Sequence, residues 1–270
     1  MSRSRWRLWG PAVLACALAT SLAACDDDEE DDGGSFGPPQ TEGLPSDEGL
    51  KAALQAVVGE DNGGFGLNMW ATVVDRSGIV VSVVFSGPGF GDQWLLSRVI
   101  SAQKANTANG LSLNTLALST ANLWAATQPG GSLFGLQESN PVDPNLAYEG
   151  DVDTFGTADD PMVGRRIGGV NVFGGGLALY NAAGEKIGAI GVSGDSSCAD
   201  HNIAWKVRDA LALDFVPSGV AIGGTDNIIY DLDASGNSTS GFGHPECSPE
   251  ATVIAGGLPT SHPVSTNPAT

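Results

Sequence analysis

Positive charge is what this sequence has least of. Lysine and arginine together number 12 against 31 aspartates and glutamates, a net −19 at neutral pH. A nucleic-acid binder needs a basic footprint to displace counterions, so that class is excluded. Cysteine is also sparse, and four in 270 residues excludes a fold held together mainly by disulfides. Histidine occurs three times, so any histidine-ligated site draws on a short list. Two motifs are missing as well: a G-x-S-x-G elbow for a serine hydrolase and a GxxxxGK(S/T) loop for nucleotide phosphates. What the chain does have is 41% apolar residues, enough for one large core or two small ones, and 38 glycines with no collagen period.

The N-terminus reads differently from the rest. Arg3, Arg5 and Arg7 precede an apolar stretch from Trp9 to Ala24 that is too short and interrupted for a good membrane span. This is the pattern of a secretory signal over residues 1–24. It ends in Leu22-Ala23-Ala24-Cys25, which resembles the lipobox of bacterial lipoproteins, so Cys25 is the expected lipidation site. Cleavage there removes three arginines and no acid, leaving nine basic against 31 acidic residues, a net −22. Seven consecutive acids, Asp26 to Asp32, open a Gly/Pro-rich stretch expected to be a solvated tether over 25–45. The expectation is an exported protein anchored to a membrane by its lipid, on the periplasmic face or the cell surface. In an oxidising compartment the remaining pair, Cys198 and Cys247, is expected to bridge; two separate buried thiols are the alternative.

The globular part is expected over 46–255. Ser46 to Glu60 reads as a capped helix with Leu50, Leu54, Val57 and Val58 on one face. Asn68–Asp75 and Ile79–Phe85 flank Arg76-Ser77-Gly78 as a hairpin. Gln93–Asn109 reads as a second helix with Leu95, Leu96, Val99 and Ala102 on its apolar face, and Ser119–Ala126 as a short helix. Residues 140–160 read as a long acidic loop. Val170–Phe173 leads into a second hairpin, Leu177–Asn181 with Lys186–Val192, and Ser197 starts the last clear helix as its cap, with Asp200 three residues later like a capping box with a shorter acid; its apolar positions are Ile203, Ala204, Val207, Ala210 and Leu211. From residue 256 the chain is rich in Pro, Ser and Thr and is expected to be a disordered tail. Hairpins between helices predict an α+β fold with an antiparallel sheet covered on one or both faces.

Several stretches resemble one family, the GlcG/HbpS-like haem-binding (haem-degrading) domain. They are Val74-Asp75-Arg76-Ser77-Gly78; Ala102, Lys104-Ala105 and Thr107-Ala108; Gly168 through Gly176; Gly184 through Gly194; and Cys198-Ala199-Asp200-His201-Asn202-Ile203-Ala204, which is similar to an exported branch. The resemblance implies a profilin-like antiparallel sheet of about five strands flanked by helices, often oligomeric. It implies haem, or another tetrapyrrole, as ligand, with iron as the attendant metal. The roles it implies are storage, transfer or redox sensing; the alternative is a haem-degrading enzyme or an accessory subunit of a periplasmic oxidoreductase. The chain departs from the family in one place. Some haem-binding relatives supply an axial histidine from the first helix, and residues 46–60 contain none.

The candidate iron ligands are therefore His201, supported by Asp200 in the first turn of the last helix, and His244. A Cys198–Cys247 bridge would draw His244 toward that same helix start. Packing or capping is the plainer role for His201. Arg98 and Lys104 are candidates to receive carboxylates such as haem propionates; the plainer reading of each is a solvated helix residue. Asp231-Leu232-Asp233-Ala234-Ser235-Gly236 begins like an EF-hand loop, but its twelfth position is Phe242 rather than glutamate, so a turn is expected. Asp151, Asp153, Asp159 and Asp160 read as solvated loop acids, and Gly174–Gly176 as a place of close backbone packing.

Overall fold

A computed structural model describes residues 38–265. The signal, Cys25 and most of the acidic tether lie outside the described residues, as do the last five.

Helix α1 spans Asp47–Val58, with Ser46 accepting the Gly49 N–H as its cap. Strands β1 (Trp70–Asp75) and β2 (Val80–Phe85) form the first hairpin. The Asp75 carboxylate organises its turn by accepting the N–H groups of Ser77 and Ile79, and Gly78 takes the positive φ of +83° that the turn requires. Helix α2 covers Ser97–Leu111. The next stretch holds a 3-10 turn, Thr120–Leu123, that runs into the short α3 (Trp124–Thr127), then α4 (Pro144–Ala147) and another 3-10 turn at Val152–Thr154. Strands β3 (Gly176–Tyr180) and β4 (Lys186–Ser193) form the second hairpin, followed by α5 (Ser197–Ala210) and α6 (Pro249–Ser261).

The sheet has the order β2-β1-β4-β3, with every pair antiparallel. Alternation along β1 sorts its side chains between two cores. Met69, Ala71 and Val73 face α1, α5 and α6, together with Leu50, Leu54, Ile203, Trp205, Val207 and Leu258. Trp70 and Val74 face α2 and the 142–167 segment, together with Val99, Ala102, Ala105, Met162 and Ile167. Helices thus cover both faces. Each fully buried leucine contributes about 2 kcal/mol of hydrophobic stabilisation.

Glycine sets how closely the layers approach. A Cβ on Gly191 of β4 would lie 1.9 Å from the Ser101 carbonyl oxygen of α2, and one on Gly176 would lie 2.4 Å from Thr120 Cγ2. One on Gly174 would sit 2.3 Å from the Ser197 carbonyl oxygen. The Gly174–Gly176 run is therefore a packing device, as expected.

Three expectations need correction. Among the described residues the sheet has four strands rather than about five, and Val170–Phe173, which leads into the second hairpin, adds none. Its backbone is claimed by side chains: Asn171 N–H donates to Thr107 Oγ1, and the Phe173 carbonyl accepts from Thr120 Oγ1. The cap of α5 is Ser196 rather than Ser197, with its hydroxyl accepting the Ala199 N–H. Residues 256–261 are helical, and 262–265 continue as defined chain, so the expected tail does not begin at 256. Gly256, Gly257 and Pro259 disfavour a helix by local propensity. Tertiary packing overrides them: Ser248 caps α6, Ala251, Ala255 and Leu258 are buried, and the Trp205 indole donates to the His262 carbonyl.

The segment between α5 and α6 is irregular but anchored. Arg208 holds Asp226 through two hydrogen bonds of 2.7 Å, with both side chains fully buried, and also donates to the Ala178 carbonyl. Turn 231–238 is closed by Asp233, which accepts the Ser235 and Asn237 N–H groups. That is the turn expected in place of a calcium loop.

Candidate functional site

The sequence candidates fall into two regions. The first is the start of α5. Cys198 and Cys247 are bonded, with Cα atoms 5.9 Å apart, closing a span of 49 positions. On the chain-entropy relation this stabilises the fold by about 4 kcal/mol. As expected from that bridge, His244 is drawn to the helix start, where its Nε2 lies 3.3 Å from Ser197 Oγ. Its Nδ1 lies 2.7 Å from the Pro245 carbonyl, which fixes Nδ1 as the protonated nitrogen. Burial pushes its pKa down to about 4.

His201 is fully enclosed. Its Nε2 lies 3.1 Å from Asn227 Oδ1 and 3.1 Å from the Ile228 nitrogen, so it tethers the α5–α6 segment. Its Nδ1 is buried without a partner, and burial lowers its pKa to about 4. Both rings are neutral at physiological pH. The two rings lie near enough for His244 to act on His201 electrostatically, but their hydrogen bonds go to different partners, and among the described residues no three His, Cys, Asp or Glu side chains gather as metal ligands.

Lys104 and Asp200 meet rather than face solvent. Lys104 Nζ lies 2.6 Å from Asp200 Oδ2 and 3.0 Å from the Val192 carbonyl, with both side chains buried. Burial raises Asp200 to about 6 and lowers Lys104. Asp200 Oδ1 also accepts the Asp195 N–H. The pair ties α2, β4 and α5 together and leaves neither charge facing a ligand.

The second region lies at the start of α2. Trp94, Leu95 and Leu96 are 54%, 50% and 61% exposed, although the sequence pattern put both leucines on a buried face. Tyr148 and Val152 are exposed beside them. Leu95, Leu96, Tyr148 and Val152, together with Val99 and Phe155, line an open apolar groove of about 360 Å³. Arg98 forms its floor. Its guanidinium lies 3.8 Å from the Phe155 ring centre, donates to Asp160 from Nε at 2.9 Å and again from Nη2, and donates to the Ala147 carbonyl. Asp160 is therefore a buried partner rather than a solvated loop acid. Asp151 caps the Val152–Thr154 turn by accepting the Asp153 N–H.

Three larger clefts lie elsewhere: two, of about 560 and 800 Å³, are lined mostly by polar residues, and a third, of about 630 Å³ beside α6, presents Val253 as its one exposed large apolar side chain. Of these clefts among the described residues, the α2 groove is the one that joins several exposed large apolar side chains, which is what a flat hydrophobic ligand requires. Sequence reasoning missed it because Tyr148 and Val152 come from the 140–160 loop. The available signal was three large apolar residues in a row, more than one helical stripe can bury.

Known proteins provide a family for this fold. No curated protein matches the sequence. Among solved structures, the Klebsiella pneumoniae protein ORFY, of the DUF336 family, is similar at 26% identity and a TM-score of 0.42, over 61% of this chain and 86% of that one. A PduOC:heme complex is similar at 23% identity and a TM-score of 0.43, over 64% of this chain and 95% of that one. The model of the HbpS-like haem-degrading proteins matches residues 47–209, from α1 through nearly all of α5. The chain therefore belongs to the HbpS-like family.

Proposed function

We propose that this protein binds haem in the groove at the start of α2, as an exported, lipid-anchored carrier that stores or hands on the tetrapyrrole. The observation that supports this reading is the apolar groove itself, in a chain of a haem-linked family. Leu95, Leu96, Val99, Val152 and Phe155 supply the apolar contact that a porphyrin face needs. Tyr148 is the groove's phenol, and a tyrosine oxygen is an established type of haem-iron ligand. Tyr148 would hold the iron and the apolar walls would hold the ring. When bound, haem supplies a redox-active iron. The protein's part is to position it and keep water from one of its faces. Arg98 is committed to Asp160, so the propionates would remain in solvent. A groove whose polar groups are one phenol and an already paired guanidinium suits holding better than turnover.

The test is haemin titration of the mature chain, followed by its Soret band. The wild type is expected to saturate at one haem per chain. Leu96→Asp is expected to abolish the shift, and Tyr148→Phe to change the spectrum and weaken binding about tenfold through loss of the axial bond. A His244→Asn variant is expected to bind like the wild type. Absence of a saturable shift would sink the haem reading. A shift lost in His244→Asn but kept in Tyr148→Phe would move the site to α5.

A further inference from the structure

The Cys198–Cys247 bridge is built unevenly. Cys198 is fully buried in the first turn of α5, whereas Cys247 is exposed. An attacking thiolate reaches a disulfide only from an open side, so attack falls on Cys247 and Cys198 is the leaving sulfur. Both sulfurs lie at the N-terminus of a 14-residue helix, where partial positive charge favours thiolates. The Cys198 N–H itself donates to Cys247 Sγ at 3.2 Å.

A third group aims at the same atom. Ser197 Oγ lies 3.5 Å from Cys247 Sγ and 3.3 Å from His244 Nε2. Because the Pro245 carbonyl holds the proton on Nδ1, the Nε2 lone pair faces Ser197. The hydroxyl can pass a proton from a Cys247 thiol to the imidazole. A bridge that served only as a staple would need none of this. Of the charged groups around it, Lys104 acts on His244 but is paired with Asp200, Asp195 accepts the Phe65 and Leu67 N–H groups, and Glu246 is exposed beside Cys247.

We infer that Cys198–Cys247 is an exchange-active disulfide, with Cys247 as its reactive sulfur and Ser197 and His244 as its proton relay, and that its substrate is a dithiol or disulfide of a partner. In the reducing direction, a thiolate of the partner dithiol attacks Cys247 Sγ. The Cys198–Cys247 bond breaks and the electron pair leaves on Cys198. The partner's second thiol then displaces Cys247 and the partner departs as a disulfide. Two electrons enter this protein, and the dithiol's two protons end on Cys198 and Cys247. In reverse, Cys247 loses its proton through Ser197 to His244 and attacks a partner disulfide. This inference does not depend on haem.

The full chain carrying Cys16→Ser and Cys25→Ser isolates the pair. Dithiothreitol under native conditions is expected to open the bridge while the far-ultraviolet circular dichroism is unchanged. In a further Cys198→Ser variant, oxidised glutathione is expected to form a mixed disulfide on Cys247, with an alkylation midpoint below the ordinary thiol value of about 8.5. Ser197→Ala and His244→Gln are expected to slow the exchange about tenfold through loss of the relay while leaving the midpoint, which the helix N-terminus sets, in place. If Cys198→Ser does not fold, Cys198→Ala takes its place. Reduction that occurs only with unfolding would overturn the inference. So would an ordinary Cys247 midpoint, or relay variants that exchange as fast as their parent.

Discussion

Arg98 lies flat over the Phe155 ring while its nitrogens grip the carboxylate of Asp160, so one buried cation serves as both floor and bolt for the α2 groove. Asp160 also accepts the N–H groups of Gly156 at 2.8 Å and Met162 at 2.9 Å, which leaves its oxygens well satisfied. Removing one partner strands the other charge. Asp160→Ala is expected to cost about 3–5 kcal/mol in urea unfolding. The double variant Arg98→Met/Asp160→Leu should recover only part of that, because the Gly156 and Met162 N–H groups lose their acceptor. A double variant no better than the single one would show that the charge pairing is not the source of the loss.

Two glycines are expected to respond in opposite directions. Gly191→Ala drives a methyl into the Ser101 carbonyl and should destabilise by about 2–3 kcal/mol or more. Gly256 is exposed inside α6 with open space where a Cβ would go, and Gly256→Ala should stabilise by about 0.5–1 kcal/mol. Thermal melting of the two variants beside the wild type decides both.

Acidification is expected to destabilise the fold between pH 6.5 and 4. His201 and His244 are lowered by burial to about 4 from an ordinary 6.5. Within that window the unfolded chain binds more protons at these sites, so stability falls as pH falls. Asp200 has the opposite sign. Its carboxyl is raised from 3.8 to about 6, so it favours the folded state as pH drops through that range. Two histidines outweigh one aspartate, and the net slope is positive. Near pH 5 a single His244→Gln variant should bring the slope close to zero, which urea midpoints measured at pH 4.5, 5 and 5.5 would test. An unchanged slope would mean that His244 does not remain neutral in the fold.

Salt should strengthen haem binding rather than weaken it. Haem carries two propionates, the groove is flanked by Glu149, Asp151 and Asp153, and Arg98 is already paired. Repulsion between like charges is screened as ionic strength rises from about 0.01 to 0.15 M. Titrations at the two salt concentrations should give the lower Kd at the higher one. The reverse order would point to a cation receiving the propionates.

The layered architecture was legible because it is local. Both hairpins, α1 and α5 follow from alternation, caps and 3.6-residue spacing, and the Cys198–Cys247 bridge follows from an even pair in a chain whose N-terminus reads as an export signal. The partnerships of the charged residues were not legible. Nothing near Lys104 in sequence announces Asp200, which lies 96 positions away, and Asp160 is 62 positions from Arg98. Both cations read as solvated or ligand-facing residues because their partners come from other layers. Helix α6 was hidden for a similar reason. Its glycines and proline argue against a helix, and only burial against α5 decides the matter. The groove was hidden because a loop supplies half of it.

The Arg208–Asp226 bond bears on where this chain can be cut. Arg208 lies at the very end of the segment shared with the family, and its counter-charge lies in the C-terminal extension. The two parts are therefore joined by a buried ion pair, and neither partner can be lost alone without cost. Deleting the extension now strands a guanidinium in the interior, so position 208 must first become neutral. The segment that matches the family is thus not a unit that can be cut out unchanged.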